Sequence, residues 1–179
     1  MENGKNLSMI MLNEMIVSLG VKILKHGDFT PIDDYTGDMI LIDRLSEFFP
    51  VNSWSWNEGE VVELDDIACA IHDGQAEESE PFGDNWKHVC WESKPTEWHI
   101  GRILYFIKNP DEIRDIEIDN ICNGKYICPI PVIVDGNHRF MAAMWLHDQG
   151  KMEKVHCMYG GRTDLLDYLT GNTEEQPLE

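Results

Sequence analysis

The chain has 179 residues, with 33 acidic against 14 basic side chains, a formal net charge of -19 and a pI near 4.5. A field of this sign repels nucleic-acid backbones and anionic membranes, and no basic patch or helix-turn-helix pattern stands out, so direct DNA binding and membrane association are not expected. The apolar runs are too short to span a membrane and the five cysteines are irregularly spaced, which favours a reduced, cytoplasmic protein.

The first half of the chain is predicted to contain short elements joined by turns. Residues 6–19 predict a helix with one apolar stripe, which suits either a core contact or a contact in a homo-oligomer. Short strands are predicted at 21–24 and 60–64. Residues 39–42 look strand-like, but the helical spacing of Ile42, Leu45, Phe48 and Phe49 favours a helix over 39–49 that ends before the following proline. The stripe of the first helix consists of Met9 or Ile10, Leu12, Met15, Ile16 and Leu19.

Three clusters in this half have open interpretations. Trp54 and Trp56 would share one face of an extended segment, where such a pair can stack a ring but more often seals the edge of a core. Residues 75–84 are an acidic loop, either a solvated surface or a segment that binds a partner. A third cluster matches no metal-ligand spacing, so no metal site is predicted there; its members are His88, Cys90 and His99.

The second half predicts longer elements. A helix is predicted over 96–108, with its apolar side chains on one face. Residues 111–119 are acidic with isoleucines interleaved, and they are predicted as a short helix or an irregular turn. Strands are predicted at 126–134, where two prolines favour a sheet edge or a bend, and at 154–158. A last short helix is predicted at 164–169.

The most informative stretch combines a strand, a tight turn and a helix. Residues 132–134 form a β-branched run typical of a buried strand, and Gly136 ends it. Asn137 can cap a helix, and His138 and Arg139 would occupy its first turn. The backbone N–H groups of a first turn have no intrahelical acceptor, so an anion can bind there. Arg139 offers a planar fork for phosphate or carboxylate.

This stretch resembles the signature of the ParB/sulfiredoxin superfamily, which reads Asp/Gly-Gly-x-His-Arg-aromatic-x-Ala. The preceding Gly124 and Pro129-Ile130 are similar to the Gly-x-x-x-Pro-Ile-x-Val segment of that superfamily, and the resemblance covers about Trp98 to Tyr159. It implies that Gly136, Asn137, His138 and Arg139 bind a phosphate or a nucleotide with Mg²⁺, and that Asp135 and His138 are catalytic. The matching residues are Asp135, Gly136, Asn137, His138, Arg139, Phe140, Ala142 and Ala143.

The departures from the signature bear on catalysis. Sulfiredoxins have a catalytic cysteine where this chain has Asn137, so sulfinic-acid reduction is not expected. ParB proteins and related kinases commonly have a glutamate there, and Asn137 cannot act as a carboxylate base. The spacing between Pro129-Ile130 and Gly136 is also compressed. The resemblance to the superfamily therefore supports phosphate binding by this chain better than it supports catalysis. The alternative is that Asn137 only caps the helix and that His138 and Arg139 make structural hydrogen bonds.

The resulting hypothesis is an α+β protein with a ParB/sulfiredoxin-like small mixed sheet. Residues 1–95 would be an N-terminal α+β extension, 96–171 the ParB/sulfiredoxin-like domain, and 172–179 an acidic tail expected to be disordered. Whether it is an enzyme stays open; if it is, the reaction would be phosphoryl transfer or nucleotide hydrolysis. The alternative is an acidic phage or mobile-element protein that inhibits a nuclease or another nucleic-acid-binding enzyme by occupying its basic surface.

Overall fold

A computed structural model describes residues 24–25, 36–48, 60–80, 94–122 and 126–177. These residues form a mixed sheet of four strands with a two-residue strand at one edge, in the order β1-β4-β3-β5-β2. Strands β3 and β5 pair in parallel, and the other neighbours are antiparallel. The strands are β1 Leu24–Lys25, β2 Thr36–Leu41, β3 Ile116–Cys122, β4 Tyr126–Asp135 and β5 Lys154–Gly160.

Five α-helices accompany the sheet within the described residues. None of those residues forms a helix of the length and apolar character needed to cross a membrane. A short 3₁₀ turn, Pro110–Glu112, follows the third helix. The helices are α1 Ile42–Ser46, α2 Leu64–His72, α3 Thr96–Lys108, α4 Asn137–Asp148 and α5 Thr163–Thr170.

One hydrophobic core joins the sheet to the helices. On the central strands the isoleucines Ile116 and Ile118 have no exposed surface, and the same is true of Cys157 and Tyr159 on β5. Helix α4 contributes Phe140 to this core, also fully buried. The α+β class is therefore confirmed, whereas the specific ParB/sulfiredoxin fold stays a prediction.

The segment after residue 36 divides into a strand and a helix. Six residues of β2 pair with β5, and the chain then turns into α1, which buries Ile42 and Leu45. The predicted continuous helix over 39–49 was wrong, because the strand-like run up to Leu41 and the helical spacing after it belong to two elements. Strand β2 also makes the extension part of the same sheet.

The predicted strand at 60–64 is absent from the described structure. Residues 60–63 are irregular, and α2 begins at Leu64. The reason is a capping box, in which the Glu63 side chain accepts the backbone N–H of Asp66 and the Asp66 carboxylate accepts the N–H of Glu63. These two bonds satisfy donors that a helix start leaves unpaired, and they outweigh a five-residue alternation.

The prediction for 111–119 was wrong in its second half. Strand β3 begins at Ile116 and lies between β4 and β5. Ile116 and Ile118 recur with the period of two that a strand requires, and the intervening Glu117 is exposed on the other face. The acidic residues between the isoleucines favoured a helix or a turn in the sequence analysis, so this strand was not predicted.

The acidic tail is described through residue 177, although the sequence favours disorder. The Arg44 side chain, 13% exposed, donates to the carbonyl oxygens of Tyr168 and Thr173 and contacts the Glu174 carboxylate at 2.7 Å. The buried Arg162 donates to the Pro177 carbonyl at 2.7 Å. Two arginines from the folded part of the chain therefore hold the tail in place.

Candidate functional site

The candidate site is the junction between β4 and α4. Strand β4 ends at Asp135, and α4 begins at Asn137. An irregularity in the pairing of β3 with β4 lies just before this point, because Glu117 pairs with Asp135 while Ile118 pairs with Ile133. Such bulges re-aim a strand and are frequent near functional sites.

Gly136 has the special backbone conformation of this junction. It is the N-cap of α4, with φ of 93° in the left-handed region, and no side chain caps this helix start. The prediction of Asn137 as the cap was therefore off by one residue: Asn137 is the first helical residue. A Cβ at position 136 would lie 3.1 Å from Nε and Nη2 of Arg139. Glycine thus permits both the turn and the close approach of the guanidinium.

Arg139 ties the junction together. Its Nη2 donates to Oδ2 of Asp135 at 2.6 Å, and its Nη1 donates to the Arg114 carbonyl at 2.7 Å. The Arg139 side chain is 21% exposed, whereas the Asp135 side chain is 68% exposed. These two bonds use two of the five N–H donors of a guanidinium. Arg139 therefore has a structural role beside the phosphate-binding role predicted for it.

His138 contacts a second histidine rather than Asp135. Nε2 of His138 lies 2.9 Å from Nδ1 of His99 on α3, and the two ring planes differ by 10°. One ring must donate the shared hydrogen and the other must accept it, so at this distance the two facing nitrogens cannot both carry protons. The Trp98 ring meets both imidazoles edge-on. Asp135, the other residue expected to be catalytic, bonds Arg139 instead.

Burial keeps both imidazoles neutral at pH 7. It lowers the pKa of His99 to about 4, although a hydrogen bond to the backbone of Lys94 opposes the shift. It also lowers the pKa of His138 to about 3, and the charges of His99, Arg102 and Arg139 act in the same direction. At neutral pH the His138 ring can therefore donate or accept a hydrogen bond, but so low a pKa makes it a weak base.

The charge around the start of α4 differs from that of the rest of the chain. The other four described helices each have an acidic residue in the first turn, but α4 has none and has His138 and Arg139 instead. Arg102 on α3 adds a further positive charge, which helps to lower the pKa of His138. Its guanidinium is held by the carbonyl oxygens of Glu78 and Ser79.

The predicted site residues thus share one junction but form two contact groups. Asp135 and Arg139 form one around Gly136, and His138 joins His99 in the other; Asn137 lies between them, partly exposed. The residues described contain no group of three or more potential metal ligands. Asp135 could supply one carboxylate to Mg²⁺, an ion that phosphates and water usually hold for the most part.

Sequence reasoning did not connect His99 and Arg102 to this junction. The sequence groups His99 with His88 and Cys90, which lie outside the described residues. A signal was present, because His99 lies four residues before Ile103 and therefore falls beside the apolar face predicted for this helix. A histidine within an apolar helix face needs a polar partner, but helical spacing does not identify that partner.

Comparisons with known proteins leave the family open. A scan against protein-family models found no match, a search of curated proteins found no similar entry, and a search of solved structures found no structural neighbour. The resemblance to the ParB/sulfiredoxin superfamily therefore stays a prediction that rests on the residues of the junction.

Proposed function

We propose that the junction between β4 and α4 binds the phosphate group of a nucleotide or of another phosphorylated ligand. The ligand would lie against the backbone N–H groups that start α4, at Gly136, Asn137 and His138, and beside the Arg139 side chain. Mg²⁺ could accompany the ligand through Asp135. Turnover, if it occurs, would be phosphoryl transfer or hydrolysis, with His138 and Asp135 as the catalytic residues.

The observation that carries this proposal is the sign of the charge at the start of α4. A chain with a net charge of -19 places an acidic residue in the first turn of every other described α-helix. Acidic side chains are favourable there because they complement the helix dipole. Helix α4 instead has an uncapped start with His138 and Arg139 in its first turn. In this proposal an external anion takes the place beside Arg139 that the Asp135 carboxylate occupies in the structure.

Asp135 acts in this proposal as an internal substitute for the ligand. Its exposed carboxylate bonds Nη2 of the less exposed Arg139 guanidinium. An incoming phosphate would compete with this carboxylate for the guanidinium and would be repelled by its charge. Removing the charge at position 135 should therefore strengthen phosphate binding.

The test is calorimetric titration of the full chain with ATP, ADP, CTP, GTP and inorganic phosphate, with and without Mg²⁺. We expect binding by the wild type, at least tenfold weaker binding by Arg139→Ala, and tighter binding of inorganic phosphate without Mg²⁺ by Asp135→Asn. Arg114→Ala is the matched control, because this arginine is also near the junction but its side chain is 71% exposed.

Two outcomes would contradict the proposal: no binding of any probe by the wild type, or unchanged affinity in a folded Arg139→Ala variant. Since Arg139 also bonds the Arg114 carbonyl, that variant could lose its fold. In that case Asp135→Asn still tests the proposal. If the Asp135–Arg139 ion pair only stabilised the fold, this substitution would not increase the affinity for phosphate. Release of inorganic phosphate from a bound nucleotide would then report any turnover.

A second candidate function rests on the acidic segment around α2. Residues 60–80 contain eight acidic residues and neither lysine nor arginine, and all but one of those acidic residues are exposed. Such a surface complements a basic groove that normally holds nucleic acid. The chain would then inhibit a nucleic-acid-binding enzyme by occupying that groove, whether or not the junction binds phosphate.

Neutralising exposed carboxylates tests this second function. Asp65→Asn, Asp73→Asn and Glu80→Gln together should weaken binding to purified basic nucleases at least tenfold at low salt, and less at high salt, because exposed charges are screened. The control is Glu117→Gln, an exposed acid on the sheet. Equal affinity of the neutralised and wild-type chains would contradict it.

A further inference from the structure

The peptide group between Arg114 and Asp115 lies between two polar side chains. Its carbonyl oxygen, on Arg114, accepts a hydrogen bond from Nη1 of Arg139 at 2.7 Å. Its N–H, on Asp115, donates to Nδ1 of His156 on β5, with 3.4 Å between the two nitrogens. A peptide group is planar and rigid. One rigid group therefore connects His156 to the arginine of the candidate phosphate site.

The backbone of Asp115 gives this peptide group its orientation. Asp115 has a φ of 55°, and within the part of the chain that the structure describes no other non-glycine residue has a positive φ. Such a conformation is uncommon for a residue with a side chain, although aspartate tolerates it better than most. It persists where surrounding contacts hold it. Here His156 contacts the N–H of the peptide group and Arg139 contacts its carbonyl.

Nδ1 of His156 has two neighbours with opposite requirements. Oδ1 of the Asp115 carboxylate, which only accepts, lies 2.9 Å away, whereas the Asp115 backbone N–H only donates. A ring nitrogen either donates one hydrogen bond or accepts one. In the charged ring Nδ1 carries a hydrogen and makes a charge-assisted bond to the carboxylate. In the neutral ring that assistance is lost, and the backbone N–H can compete for Nδ1.

The His156 ring is accessible to solvent and has charged neighbours of both signs. Its side chain is 37% exposed, and Asp115 contacts it directly. Nε of Arg114 lies 3.8 Å from Oδ2 of the same carboxylate. Lys154 on β5 and Glu117 on β3 are exposed and share this face of the sheet through strand alternation. Histidine is the side chain whose charge ordinarily changes near neutral pH, so the ring can switch between its two bonding states there.

Gly37 on β2 limits where the His156 ring can lie. Met39 of the same strand pairs with His156, and a Cβ at position 37 would lie 2.8 Å from Nε2 of the ring. That separation is too short for a Cβ, so an alanine at this position would push the ring aside. The histidine and its charge would remain. Gly37→Ala therefore separates the position of the ring from its charge.

We propose that His156 is a positioning residue for the candidate phosphate site and acts on Arg139 through the turn at Asp115. The charged ring holds the Asp115 carboxylate, which keeps the Arg114 carbonyl within reach of Nη1 and fixes the guanidinium beside the start of α4. A neutral ring loosens the turn, and the guanidinium is then less well ordered for an incoming anion. The effect on binding rests on the proposed phosphate site, whereas the link between His156 and Arg139 does not.

Calorimetric titration of the full chain with sulfate tests the effect on binding. Sulfate is a tetrahedral anion like phosphate, and its charge is constant between pH 5.5 and pH 8.5. His99 and His138 do not titrate in this range, because their pKa values are about 4 and about 3. We expect the wild type to bind sulfate about fivefold more tightly at pH 5.5 than at pH 8.5, and His156→Gln to lose this difference.

Two further variants show whether the charge alone explains such a difference. Gly37→Ala should also lose it, although the variant retains His156. His147→Gln is the matched control, because it removes a histidine from the far end of α4 and should keep the difference. Full pH dependence of sulfate affinity in Gly37→Ala would overturn the proposal, because the charge of the ring would then act without the contact to Asp115.

Nuclear magnetic resonance tests the link without any ligand. In the wild type the signals of the Asp115 backbone N–H and the Arg139 Nε–H should titrate together with the His156 ring, and both should lose this transition in His156→Gln. An Arg139 signal that stays constant while the ring titrates would overturn the proposal. Absence of sulfate binding by the wild type at both pH values would contradict the phosphate site, and the shared titration would then support only the link between the two residues.

Discussion

The His99–His138 pair makes the stability of this protein dependent on pH in a defined window. Burial lowers the pKa of His99 from 6.5 to about 4 in the folded state. As the pH falls below 6.5, the unfolded chain takes up a proton at His99 that the folded chain does not, so acid favours unfolding. Each pH unit in this window removes about 1.4 kcal/mol of stability. Between pH 6.5 and pH 5, His99 therefore accounts for a loss of about 2 kcal/mol.

Urea denaturation at a series of pH values between 8 and 4 measures this loss. We compare wild type with His99→Gln, because a glutamine amide can still hydrogen-bond to His138 but does not titrate. The variant should lose about 2 kcal/mol less than wild type on going from pH 8 to pH 5. His72→Gln is the control for removing a histidine outside this pair, since its ring is 89% exposed.

The same pH dependence in His99→Gln and wild type would refute the reasoning. It would mean that the two imidazoles are not held neutral by burial. If His99→Gln does not fold, His138→Gln provides the same comparison, because burial also lowers the pKa of His138, to about 3. A steeper loss of stability in either variant would equally contradict the assignment.

Two further predictions concern the turn and the tail. In urea denaturation, Gly136→Ala should lower the free energy of unfolding by about 2–3 kcal/mol, because position 136 combines a positive φ with a crowded Cβ. Gly150→Ala is the control, since a Cβ there meets no atom within 4 Å, and it should lower the free energy of unfolding by about 1 kcal/mol. Equal losses would show that contact with Arg139 is unimportant. Arg44→Ala should accelerate carboxypeptidase trimming of residues 171–179, since Arg44 donates to the carbonyl oxygens of Tyr168 and Thr173; trimming no faster than in Arg114→Ala would contradict this role.

Elements with strong local signals could be predicted from the sequence. The helix over 96–108, the strand that starts at Lys154 and the strand-turn-helix around Gly136 all appear in the structure. In each, the determining factors lie within a few residues: apolar periodicity, a β-branched run and a glycine that can adopt a positive φ. Boundaries were less well predicted where two periodicities meet, as at Leu41, or where a capping box competes with alternation, as at Glu63.

The partners of the candidate site depended on tertiary structure. His99 and His138 are 39 residues apart, and Arg139 reaches the Arg114 carbonyl across 25 residues. The sequence by itself determined that a helix with Arg139 and no acidic residue in its first turn follows a glycine turn. Only the tertiary structure decided that Asp135 neutralises Arg139 and that His99 holds His138. The physical reason is that helix and turn formation depend on neighbouring residues, whereas burial and side-chain pairing depend on which distant elements pack together.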